Sequence, residues 1–170
     1  MHPAVKTYVR IVDRFSDYVG LIAMYLIFLM IAVLLSDAVS DNVFGFPIHW
    51  GVELTQFTLA AYYFMGGAVT LKNGNHVRMD LFYDNLSDVG KARLDAITIA
   101  CLLFYLVVLF IGSVSSLEYA IETNERRFSM WNPSMIPIKL LMAACLFLMI
   151  LQSISELIKH VATLRGEALA

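Results

Sequence analysis

Glu53 is the residue in this sequence with most chemical potential. It opens a long uncharged run over 54–71. An acid in that place carries a proton, pairs with a group on another helix, or marks the headgroup boundary. Gln56 follows one turn later. At 100° per residue, Glu53, Gln56, Ala60, Tyr63, Gly67 and Thr70 fall within an arc of about 100°. One side of that helix is therefore polar or small. Small residues let helix backbones approach closely, and polar ones bond across the contact. The arc reads as a contact face for a partner, with Trp50 just ahead of it. The plainer alternative places Glu53 at the boundary and Trp50 in the ordinary interfacial aromatic belt, as it does Trp131.

Other chemistries find no support. The four histidines are His2, His49, His76 and His160. Each falls outside the apolar runs, where the axial ligands of a helical cytochrome would have to stand. No Cys/His spacing fits zinc. Cys101 and Cys145 lie inside apolar runs and read as packing residues. There is no nucleophile–base pair, no phosphate-cradling glycine loop and no paired-carboxylate site. The expectation is a protein that is not an enzyme and holds no cofactor or metal. One dense polar patch spans 72–80 and contains His76, Arg78 and Asp80. It is expected to organise the turn after the second hydrophobic run, with Asp80 as a helix cap. A solvated loop is the alternative.

The elements that position these residues are set by composition. Of 170 residues, 59% are apolar and 15% charged, against roughly 45–50% and 25% in soluble domains. Mean hydropathy is +0.72. A net charge of −2 gives nucleic acid no footing. These values describe a single integral membrane domain over 1–170, all-α, since a helix satisfies its own backbone in lipid. A span needs roughly 20 apolar residues. Four stretches qualify, at about 18–36, 51–71, 95–117 and 134–156, the last if Lys139 snorkels to the interface. The first has too long an apolar core for a cleavable signal.

Two amphipathic interfacial helices are expected beside the spans. Val5, Tyr8, Val12, Phe15 and Val19 recur at helical spacing, giving a lead-in over about 4–17. Met79, Phe82, Tyr83, Leu86 and Val89 oppose Asp80, Asp84 and Asp88, giving a surface helix over about 79–90. Membrane lipid is the implied partner of both, although the acidic face of the second disfavours anionic lipid there. Glu122 and Arg126, four apart, suggest an extension of helix three. Asn132-Pro133 and Ile136-Pro137 mark a break and a fresh helix start. Orientation follows from the basic residues. Lys6, Arg10, Arg14, Lys72, Arg78, Lys91, Arg93, Lys159 and Arg165 fall on one side, and Arg126, Arg127 and Lys139 on the other. Nine of the 12 basic residues thus place both termini in the cytoplasm.

Phe46-Pro47-Ile48-His49-Trp50-Gly51-Val52-Glu53-Leu54, then Gly66-Gly67-Ala68, then His76-Val77-Arg78-Met79-Asp80, resemble the DctQ family. These are the small membrane subunits of tripartite ATP-independent periplasmic (TRAP) transporters. The likeness extends to length, span number and the Ile136-Pro137 start. One departure is Val52, where many members carry an acid beside Glu53. The resemblance implies a bacterial inner-membrane scaffold. It would brace a large membrane transport subunit of about twelve spans, which moves like an elevator and uses a sodium gradient. A periplasmic substrate-binding protein would deliver an organic acid. The chain itself would bind neither ion nor substrate. The rival reading is a self-assembling four-helix small multidrug-type transporter that couples through Glu53.

Overall fold

The computed structural model describes residues 3–46, 48–73 and 88–164. They form four α-helices: α1 Pro3–Val39, α2 Gly51–Lys72, α3 Asp88–Thr123 and α4 Ile136–Leu164. Among the described residues there is no strand, only an isolated antiparallel bridge between Arg126 and Ser134.

The lead-in and the first span prove to be one helix. Pro3 occupies its first position, where a missing N–H and a fixed φ favour a helix start, and no proline follows until Pro47. A π-helical segment, Ser40–Phe44, continues α1 before Gly45 closes it. One side of the lead-in docks on protein. Val9, Val12 and Ser16 are buried, and the Tyr8 hydroxyl donates to the Leu151 carbonyl at 3.0 Å. Phe15, expected on the same face, is instead 56% exposed.

The surface helix expected over 79–90 lies outside the described residues, apart from 88–90, which begin α3. Glu122 and Arg126 do not extend helix three as a pair. Asn124 adopts a φ of 48°, a left-handed conformation that ends helices, and Arg126 lies beyond it in the bridge to Ser134. α4 starts at Ile136 with Pro137 in its first turn, where proline costs no hydrogen bond.

α4 is the central helix. It packs against α3 and α2, and at one end against α1, while α1 packs mainly on α2. α3 is seated chiefly on α4. This is an open assembly, not a square bundle in which every helix has two full neighbours. Burial agrees: 39% of the most apolar stretch of α4 is buried, but only 6% of that in α1 and 11% of that in α3. Two glycines permit the closest approaches. A side chain at Gly20 would collide with Val69, joining α1 to α2, and a Cβ at Gly67 would fall 2.8 Å from Met149 Sδ on α4.

Among the described residues, three helical stretches are long and apolar enough to cross a membrane: Lys6–Phe44, Ile97–Thr123 and Ile136–Ala162. α2 falls short on composition, not length. Its 22 residues reach about 33 Å, enough for a hydrocarbon core of about 30 Å. Thr55, Gln56, Thr58, Tyr62, Tyr63 and Thr70 dilute its apolar character.

Candidate partner-binding face

α2 carries most of the residues singled out by sequence. Its ends suit the helix dipole, with Glu53 in the first turn and Lys72 in the last. Its inward face is Gly51, Thr55, Thr58, Ala61, Ala68 and Leu71, all buried. The threonines need no partner from another helix. Thr55 Oγ1 donates to the Gly51 carbonyl at 2.9 Å, Thr58 Oγ1 to Leu54 at 2.8 Å and Thr70 Oγ1 to Gly66 at 2.9 Å.

The outward face runs along Val52, Gln56, Leu59, Tyr63, Gly66 and Thr70, at alternating steps of four and three that keep one side of a helix. Val52 is 51% exposed, Leu59 37% and Tyr63 68%. Gln56 is exposed, and a Cβ at Gly66 would meet nothing within 4 Å. This stripe shares Gln56, Tyr63 and Thr70 with the arc drawn from sequence. It is turned away from Glu53, Ala60 and Gly67 by about 80°, at 100° per residue. Ala60 and Gly67 are half-buried, and Gly67 adjoins Met149 of the same chain.

Glu53 has a partner within the chain. Ser129 Oγ donates to Glu53 Oε2 at 2.8 Å and itself accepts from the Asn132 amide at 3.1 Å. Trp50 and Trp131 pack beside this contact with ring centroids 6.5 Å apart, within the usual range for aromatic pairs. The α3–α4 connection is thereby fastened onto the start of α2. Its base is tied by Arg127 N–H to the Pro133 carbonyl and Met135 N–H to the Glu125 carbonyl, both at 3.0 Å. Lys139 reaches back to Glu125 Oε2 at 2.5 Å. Across from it, Asp37 Oδ1 accepts from the Ile48 amide at 2.9 Å, fixing the approach to Gly51.

A second polar cluster, absent from the sequence reading, sits at the other end. Gln152 is wholly buried. Its Oε1 accepts from Ser16 Oγ at 2.7 Å, and its Nε2 donates to Asp13 Oδ1 at 2.8 Å and Glu156 Oε1 at 3.1 Å. Lys159 Nζ lies 2.9 Å from Asp13 and 2.7 Å from Glu156. Lys72 of α2 pairs with Asp17 at 2.5 Å. His160, expected beyond helix four, is inside it, with Nδ1 3.7 Å from Asp95 Oδ2 on α3. All four helices are tied together here. The signal in the sequence was Gln152, a lone amide in an apolar run.

No three His, Cys, Asp or Glu side chains converge as a metal site among the described residues. Cys101 is exposed and Cys145 buried, both as free thiols. The patch of His76, Arg78 and Asp80 lies outside the described residues.

Comparison with curated proteins and with solved structures found no match. The family model for tripartite ATP-independent periplasmic transporters, DctQ component, matches residues 30–163. That stretch includes α2, the outward stripe, the fastened connection and α4 through Gln152 and Lys159. It is well over half of the 170 residues, and so the chain belongs to the DctQ family of TRAP transporter components.

Proposed function

We propose that this small TRAP subunit is a fixed brace for the large membrane subunit, engaged through the outward stripe of α2. In this reading all four helices cross the inner membrane and both termini are cytoplasmic. The complex imports an organic acid, delivered by the periplasmic binding protein and driven by a sodium gradient, and this chain binds neither.

The observation that carries the reading is Gln56. It is exposed on a helix between lipid-length neighbours and makes no hydrogen bond among the described residues. An amide left facing hydrocarbon is costly, and a bond to another helix removes that cost. Tyr63, two stripe positions on, offers a hydroxyl on the same side, and the open space at Gly66 admits a close backbone. The multidrug-type alternative needs a membrane-embedded acid free to exchange protons. Glu53 is instead in the first turn of α2 and accepts from Ser129.

Cysteines placed one at a time along α2 test the brace in the complex with its large subunit. Cross-links are expected from positions 52, 56, 59 and 63. They are not expected from 55 and 58, which face inward. The reverse pattern would place the contact elsewhere and end this reading.

A further inference from the structure

We propose that the basic face at the start of α1 binds the phosphate of an anionic phospholipid. The proposal rests on the reading that α1 enters the bilayer with its N-terminal end at the membrane surface.

Lys6, Arg10 and Arg14 stand four residues apart and therefore share a helix face. All three are exposed, and none has an ion pair or hydrogen bond among the described residues. The carboxylates beside them are already engaged. Asp13 holds Lys159 at 2.9 Å and Asp17 holds Lys72 at 2.5 Å. Positive charge is thus left over on one side of the helix. A concavity of about 400 Å³ lies along it, lined by Lys6, Arg10, Asp13, Arg14, Asp17 and Lys159.

Guanidinium groups bind phosphate through two parallel N–H···O bonds. Arg10 and Arg14 are the primary ligands, with Lys6 as a further point charge. What favours a lipid as the source of that phosphate is the flank of the stripe. Ile11, Phe15 and Tyr18 are 63%, 56% and 60% exposed. They offer apolar and amphipathic surface for the glycerol and upper acyl region, at the depth where the charged turns end. An anion bound by the stripe would offset the charge of Lys6, Arg10 and Arg14, which the carboxylates committed to Lys159 and Lys72 leave unbalanced.

The test uses the purified complex with its large subunit, extracted from vesicles of phosphatidylcholine and phosphatidylglycerol. Co-purifying lipid is quantified by mass spectrometry. The complex is expected to retain phosphatidylglycerol in preference to phosphatidylcholine. Enrichment should fall about fivefold for each cation removed, the usual effect of one basic residue near an anionic surface. Arg14→Gln alone leaves most of the positive tail and so tests the site without inverting the chain; K6Q/R10Q/R14Q tests its sum. R10K/R14K should keep part of the enrichment. Millimolar inorganic phosphate should leave it unchanged. Equal enrichment in the triple variant would overturn the proposal. Displacement by inorganic phosphate would replace lipid with a free anion. Loss of the large subunit from the triple variant with lipid enrichment unchanged would make the stripe a protein contact. The cross-links from α2 read the brace independently.

Discussion

Glu53 and Ser129 show how one short contact at a helix end shapes a whole connection. Ser129 Oγ is used twice, donating to Glu53 and accepting from the Asn132 amide. Truncating either side of a hydrogen bond to a charged group costs about 1–2 kcal/mol at a half-exposed site. Ser129→Ala loses both bonds and is expected to cost more than Glu53→Ala, which leaves the Asn132 cap in place. Glu53→Gln keeps an acceptor oxygen and should stay close to the parent. In a double-mutant cycle read by thermal unfolding in detergent, the two alanine substitutions should be less than additive. Strict additivity would mean that the contact contributes nothing. The importance of Glu53 is legible in the sequence, because an acid opening an apolar run has few places to go. The identity of its partner is not, because Ser129 lies 76 residues away in a connection whose shape depends on Asn124 and Asn132 at positive φ.

At the scale of the element, α2 explains both what sequence patterning reaches and where it stops. A run of small and polar residues on one helix side specifies close contact, but not with which helix. Here the contact is shared. Gly67 serves α4 of the same chain, and the side carrying Gln56 and Tyr63 stays outward. A bulky residue at Gly67 would therefore strain the chain's own packing before it reached any partner. α1 makes the same point from the other direction. Its apolar spacing over 4–17 is plain, yet periodicity cannot tell a lipid surface from the flank of α4. The deciding residues are polar, namely Ser16, Asp13 and Gln152. Gln152→Leu should fit the space but leave the buried Ser16 hydroxyl unsatisfied and take two donors from the carboxylates. The expected loss is about 2 kcal/mol, with faster amide exchange along the start of α1. Gln152→Glu should be worse, since it sets a third carboxylate beside Asp13 and Glu156. Unchanged exchange in both variants would reduce the cluster to a surface decoration.

At the scale of the whole molecule, charge is sorted to the two ends. Asp13, Asp17, Lys72, Asp95, Glu156, Lys159 and His160 meet at one end, and Asp37, Glu53, Glu125 and Lys139 gather at the other. The start of α1 and the end of α4 share the first end, through Tyr8 with Leu151 and Asp13 with Lys159. That supports termini on one side of the membrane. Reporter fusions after residues 45 and 125 should then be periplasmic, and one after residue 170 cytoplasmic. Between the two ends the helices run uncharged over 18–36, 54–71, 96–117 and 140–155. Ion and substrate pathways in membranes are marked by ionisable groups near the middle, and none of the four runs provides one. Vesicles holding this chain alone are therefore expected to show no sodium-driven uptake of organic acids. Uptake should appear only when the large subunit and the binding protein are added. If the single chain transported, and lost that activity on Glu53→Gln, charge at the end of α2 would be carrying a proton or ion, and the brace would have to be abandoned for a self-sufficient transporter.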